Sequence, residues 1–448
     1  MVHSTRRDVI KVGGALLGGI AVGSTVTAAT STDRFIVRTK GRGLPHSVEV
    51  VHKMPGTDLA VVTGDQEEVG SSSAVRGFAP DIELELSEPK TNPEAPTVDA
   101  SEYEGQPGDF LQWDKADLNV PEAHEVTEGE GTRVSVIDSG VLETHPDLAG
   151  PLNLDLSRNF TDDGGDHNPV GGDDHGTHVA GIVAADNGGG IGVNGTAPKT
   201  DLVDCRVFSG PTASFGDILA AVVYSANVDA DVANLSLGAY PIPRQGFGSF
   251  YGKVLNSTMT YANKEGTLLV IAAGNDAADL QHDKNLISLP NEGAQAVSVS
   301  ATGPIGYGWD ADGDGEVTDL ASPAESPAFY TNYGTNAITL GAPGGDADLS
   351  AIGTDVPWFN DLVFNTVFSY VDTDGDGEPD TQVPSYGWKA GTSMAAPNVA
   401  GAAALVKSAN PNYNAGQVAA ALKRAAEVPD GFSKEYYGSG YLNILNAL

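Results

Sequence analysis

The 448-residue chain is long enough for one large α/β domain with appendages, and its 40% hydrophobic content and 56 glycines allow a substantial core with many tight turns. Sixty acidic residues against 24 basic ones leave a formal net charge of −36, which excludes nucleic acid and anionic lipid as expected partners and points to a folded protein adapted to high salt. One cysteine, Cys205, excludes an internal disulfide framework, and its place in an alternating segment with no histidine nearby reads as a buried structural thiol.

Taken in chain order, residues 1–29 read as an export signal. Ser4-Thr-Arg-Arg-Asp-Val-Ile-Lys11 precedes an apolar, glycine-rich stretch from Val12 to Val22, and small residues at Thr27, Ala28 and Ala29 suit a signal peptidase. The Arg6-Arg7 pair is similar to a twin-arginine signal. The apolar stretch is shorter than the roughly 18 residues needed to span a bilayer, so a secreted, extracellular protein without stable membrane insertion is expected. Residues 30–87 form a separate unit with strand candidates at Arg34–Arg38, Leu59–Val62 and Ile82–Leu86. Residues 88–108, rich in proline and acids, read as a linker.

From Trp113 onward strands and helices alternate. Arg133–Asp138, Leu202–Phe208, Val232–Leu237, Leu268–Ala273, Val297–Ala301 and Ala337–Ala342 are near-continuous apolar runs of the kind buried parallel strands show. Helix patterns cover Ser214–Ala226, Ala395–Ala409 and Ala415–Ala426, the last with Asn414 as its cap. The alternation predicts an α/β fold with a parallel sheet flanked by helices on both faces, and such sheets gather their active sites at the carboxyl ends of the strands.

Three motifs fall at such ends. Asp138 closes its strand before Ser139-Gly140, His175 opens His-Gly-Thr-His-Val-Ala-Gly181, and Ser393 lies in Gly391-Thr-Ser-Met-Ala-Ala-Pro397 at the start of a helix. A serine hydroxyl needs a base to take its proton; an imidazole supplies it, and a buried carboxylate fixes the imidazole's tautomer. Singly, each residue could be a cap or a satisfied core group. Together, in the order Asp, His, Ser and in these contexts, they are expected to form a nucleophilic triad. His178 makes an H-x-x-H pair with His175 but lacks the glutamate and spacing of a zinc helix, so it reads as structural.

With these motifs, the region from Trp113 to Leu448 resembles the subtilisin-like serine proteases, and among them the haloarchaeal halolysins. The resemblance implies a serine endopeptidase cutting proteins and peptides through an acyl-enzyme. It makes Asn275, at the end of Leu268-Leu-Val-Ile-Ala-Ala-Gly-Asn275, the oxyanion donor beside Ser393 N–H. It also makes Ser236, Leu237 and Gly238, with Ala272, Ala273 and Gly274, the substrate-binding edge and first pocket, with Ser288 at its base. Residues 30–87 resemble the family's small α+β prosegment, an intramolecular inhibitor cut away by self-processing within the linker. Residues 109–448 are then the catalytic domain, expected as a monomer; it ends soon after Gly440-Tyr-Leu-Asn443, without the C-terminal extension of some haloarchaeal relatives.

Structural Ca2+ is expected at two kinds of place. Asp310, Asp312 and Asp314, and likewise Asp372, Asp374 and Asp376, offer carboxylates at positions 1, 3 and 5 of a loop with glycine at 6. Position 12 is Ala321 or Val383, so the usual glutamate is missing and Asp319 or Asp380 would have to substitute. A solvated acidic turn is the alternative. The family's tight calcium site maps onto Asp109, Asp147 and carbonyls at Asn187, Ile191 and Val193, with glycine at position 189 where the family has an asparagine ligand. Two other classes remain open at this point: a catalytically dead relative that binds peptides, and a calcium-dependent adhesion module, which would leave the triad unexplained.

Overall fold

The computed structural model describes residues 33–41, 44, 48–85, 95–101, 110–188, 190–243, 247–283, 285–313 and 319–448. The expected export signal, much of the linker, Asp109 and Asp314 lie outside the described residues.

The central sheet has seven strands in the order Leu340–Pro343, Val297–Thr302, Leu268–Ala272, Val232–Leu235, Arg133–Asp138, Asp201–Arg206, Arg158–Asn159. Every neighbouring pair is parallel. The continuous apolar runs have a simple cause, because both faces of this sheet are covered. Val134, Val136, Val270 and Val299 point into a cluster with the helices His175–Ala184, Thr392–Ala409 and Ala415–Ala425. Their chain neighbours Ile137, Leu269 and Ile271 point the other way, against Phe215–Asn227 and Phe247–Glu265. The alternation of side chains along a strand thus feeds two cores at once. Asn414 caps its helix as expected, with a full capping box to Gln417.

Two elements went unread in the sequence. The Phe247–Glu265 helix has low mean hydropathy, yet Tyr251, Val254, Leu255, Met259 and Ala262 are buried at helical spacing. Before Ser393, Val363–Val371 and Thr381–Lys389 form a long antiparallel hairpin, and Thr97–Asp99 adds a third strand to it. The hairpin falls between Asn275 and Ser393, and the Asp372, Asp374 and Asp376 loop lies between its strands.

Ahead of this body four strands form an antiparallel sheet in the order Glu49–Lys53, Leu59–Thr63, Arg34–Thr39, Val75–Pro80, with the short helix Gln66–Ser71. It lies on the second helix layer, where Ile36, Leu59, Val61 and Ala79 share a cluster with Phe215, Leu219 and Tyr251. Arg34 sits at the centre of a polar patch, bonded to Asp81, Asp162 and Asp217. His52 Nε2 lies 2.8 Å from Asp217. Asp81 also accepts the Gly216 N–H at the start of the Phe215–Asn227 helix. Glu83–Glu85 then pairs antiparallel with Thr212–Ser214 of the larger body. Among the described residues no helix is long and apolar enough to cross a membrane.

Candidate active site

The carboxyl edge of the sheet pairs Asp138 with His175 and, at the end of the adjacent strand Val232–Leu235, holds Ser393 against Ser236. Asp138 ends the strand Arg133–Asp138 and is fully buried; its Oδ1 lies 2.7 Å from His175 Nδ1. Ser139 N–H also donates to that oxygen at 2.8 Å. The His175–Ala184 helix is held close by Gly176, whose N–H donates to Ser139 Oγ at 2.9 Å. A Cβ on Gly176 would sit 2.5 Å from the Gly140 carbonyl oxygen, so the glycine after the histidine is demanded by this approach. His178, on the same helix, bonds through Nε2 to the Val363 carbonyl, and burial pushes its pKa well below the usual value. It is a neutral structural residue that ties its helix to the hairpin.

Ser393 stands in the first turn of Thr392–Ala409 and is 6% exposed. Its Oγ donates to Ser236 O at 3.2 Å, and Ser236 Oγ donates to Ser393 O at 2.7 Å, so the nucleophile turn is clasped to the segment after the Val232–Leu235 strand. Asn275 follows the neighbouring strand. Its Oδ1 accepts from Thr392 N–H and Thr392 Oγ1, each at 2.9 Å, which turns the amide nitrogen the opposite way. Thr392 Oγ1 in turn accepts from Gly274 N–H at 3.0 Å. Gly274 has φ of 100°, a conformation only glycine adopts readily.

A narrow cleft opens beside these groups. It is lined by Ser236, Leu237, Gly238, Ala272, Gly274, Asn275, Ser288 and Ser393, together with Ala239, Tyr240, Asp276 and Thr392. Ala273 does not reach it; that residue is buried in the sheet ladder, its N–H on Val299 O at 2.9 Å. Sequence reasoning missed Thr392 and Asp276, although both adjoin residues it had singled out. Asp276 is the one carboxylate of the lining; burial pushes its carboxyl up to about 6, against a hydrogen bond from Asn332 Nδ2 at 3.1 Å.

The candidate metal ligands fall in separate places. Asp372, Asp374 and Asp376 crowd the exposed tip of the hairpin, each offering an oxygen within 4.8 Å of the others. Asp380 is turned to Thr373 and Thr381 instead. Asp310 accepts Gly313 N–H in a similar turn. Asp147 is buried, and its Oδ2 accepts from Tyr386 OH at 2.7 Å and Val193 N–H at 2.9 Å. Ile191 is 56% exposed at the outside of that loop. The Asn187 side chain is partly buried.

Comparison with known proteins gives the same reading. The subtilase family profile matches residues 129–440. Subtilisin Savinase from Lederbergia lenta is 30% identical over 74% of this chain and 97% of its own length. Thermitase from Thermoactinomyces vulgaris is 26% identical over 75% of this chain and 95% of its own. A thermophilic serine proteinase from Bacillus sp. (strain AK1) is 30% identical over 73% of this chain, which spans 64% of that relative's length. In fold, the epidermin leader peptide processing serine protease from Staphylococcus aureus matches with a TM-score of 0.68 at 21% identity, over 92% of this chain and 97% of that one. A buried Asp–His pair and a serine at a helix start, at the carboxyl edge of a parallel sheet whose sequence matches these proteases, have one common explanation: the chain belongs to the subtilase family and is a serine endopeptidase.

Proposed function

We propose that Ser393, His175 and Asp138 carry the hydrolysis of peptide bonds, with Asn275 and the Ser393 N–H as oxyanion donors. The observation that carries this is the buried 2.7 Å contact between His175 Nδ1 and Asp138 Oδ1, which leaves Nε2 to serve as base. Ser393 Oγ attacks the scissile carbonyl carbon as Nε2 takes its proton. Asp138 stabilises the imidazolium, and the Asn275 amide and Ser393 N–H receive the oxyanion. Collapse expels the amine, which leaves with the proton from Nε2. Water then attacks the acyl-enzyme by the same route and frees Ser393. Extended substrate backbone would lie along Ser236–Gly238, with a side chain in the cleft. A serine-directed phosphonylating reagent tests the assignment. It should label Ser393 and abolish activity, whereas a Ser393→Ala variant with near-normal turnover would remove it.

The precursor reading is also proposed here. Residues 1–29 direct export, 30–87 act as an intramolecular inhibitor and 88–108 are cut by the enzyme itself, leaving a secreted, monomeric enzyme of 109–448 or somewhat longer, adapted to high salt. The packing of residues 34–80 on the second helix layer and the pairing of Glu83–Glu85 with Thr212–Ser214 support the inhibitor role. Several of the similar proteins are named as extracellular or alkaline proteases, among them one from Xanthomonas campestris.

Calcium is proposed first at the hairpin tip, where Asp372, Asp374 and Asp376 converge and would supply hard oxygen ligands for a purely structural ion. At Asp147 the fit is poorer. Donors already face its carboxylate, and an ion there requires the Tyr386 hydroxyl and the Val193 N–H to move aside.

A further inference from the structure

The hairpin that runs into Ser393 carries a strand from ahead of the catalytic body. Thr97, Val98 and Asp99 lie antiparallel to Gly387, Tyr386 and Ser385, and Ala100 N–H donates to the Pro384 carbonyl at 3.1 Å. Val98 and Ala100 pack on the cluster formed by Ala185, Val193, Phe364 and Tyr386. Without this strand, Thr381–Lys389 would be a sheet edge with unpaired backbone groups along its middle.

The hairpin, in turn, holds the helix that opens with His175. Thr366 Oγ1 donates to Thr177 O at 2.8 Å, and His178 Nε2 donates to Val363 O at 3.1 Å. Lys389 Nζ lies 2.9 Å from Asp174, the residue that precedes His175. Helix and hairpin approach so closely at Gly181 that a Cβ there would sit 2.0 Å from Thr366 Oγ1. Only Ala390, Gly391 and Thr392 separate the hairpin from Ser393. One small sheet therefore touches the helix that carries the base through side chains and reaches the nucleophile through the chain itself.

We propose that residues 95–101 stay with the mature enzyme as a positioning strand, which fixes the hairpin and through it the distance between His175 and Ser393. The part of this that concerns the mature enzyme rests on the self-processing reading. Thr97–Asp99 belongs to the hairpin sheet that leads into Ser393, whereas Glu83–Glu85 pairs with Thr212–Ser214 alone, so the cut that releases the inhibitor falls upstream of Thr97. None of the cleft residues lies on this strand or on the hairpin, so the strand acts on turnover and leaves substrate affinity alone.

Two measurements test it on the full-length precursor. Mass spectrometry of the active, processed enzyme should find an N-terminus upstream of Thr97; a mature, fully active enzyme that begins beyond Thr97 overturns the proposal. In the second, Val98→Pro, which removes a backbone donor from the strand, is compared with Val98→Ile, which preserves it. Per titrated active site, Val98→Pro should lower kcat five- to tenfold at unchanged KM, and Val98→Ile should match the parent. Should the proline variant fail to accumulate, Val98→Ala gives a smaller fall in the same sense. Unchanged kcat per site, or a KM that rises in step, contradicts the positioning role. A Ser393→Ala precursor that is still shortened would refute self-processing, while the kcat comparison continues to judge the strand.

Discussion

Thr392→Val isolates how the oxyanion side of the site is held. The change is nearly isosteric and deletes Oγ1, which donates to Asn275 Oδ1 at 2.9 Å and accepts from Gly274 N–H at 3.0 Å. The Thr392 N–H remains on Asn275 Oδ1, so the amide keeps one of its two Thr392 bonds. A neutral hydrogen bond contributes about 0.5–1.5 kcal/mol net. If that is felt only as the oxyanion forms, kcat falls roughly two- to twelvefold, at about 1.4 kcal/mol per factor of ten. Deleting the amide itself with Asn275→Ala should cost about 100- to 1000-fold, a figure measured on subtilisin, a member of this family, and not obtained from this structure. The assay is kcat on a chromogenic peptide, normalised by active-site titration, with thermal melts in a Ser393→Ala background. Those melts should show a loss of up to about 1–3 kcal/mol from the stranded Gly274 N–H. Because Thr392 acts through Asn275, the valine change should cost nothing further once Asn275 is alanine. Should it lower kcat by the same factor in both backgrounds, Thr392 acts by another route and the reasoning fails.

Three further outcomes follow from the site and the surface. Burial pushes the Asp276 carboxyl up to about 6, so its charge appears as pH rises through that value; kcat/KM for substrates with a lysine in the cleft should climb between about pH 5 and 7 relative to a leucine substrate, and Asp276→Asn should abolish that difference. Chelation should lower the melting temperature of the mature enzyme, and Asp374→Asn should remove most of that loss; metal analysis that finds no calcium in the purified enzyme rejects both ion sites. With a formal charge of −36, repulsion reaches across about 10 Å at 0.1 M salt but only about 3 Å at 1 M, so the melting temperature of Ser393→Ala should rise up to molar sodium chloride, and a flat curve would refute salt adaptation without touching the protease assignment.

The sequence by itself determined the parallel sheet and the chemistry of its edge. Runs such as Arg133–Asp138 and Leu268–Ala272 are apolar on both faces because both faces are covered, and that pattern needs no neighbour to be read. Asp138, His175, Ser393 and Asn275 stood out because each sits at the end or start of an element, where the chain turns sharply and marks itself with glycine. Thr392 and Asp276 carried no such mark; their roles come from partners 117 and 56 positions away, Asn275 and Asn332. Of the hairpin before Ser393 only the tip, a run of aspartates, was legible, as a calcium loop or acidic turn; its strands are recognisable only from what they pair with. Thr97–Asp99 shows this most plainly. Three residues inside a proline-rich stretch have no strand signal of their own, and an edge opposite Ser385–Gly387 makes them one. Propensity and burial pattern are local quantities. Strand addition and second contacts to a catalytic side chain depend on which distant backbone arrives beside them, and only the folded chain decides that.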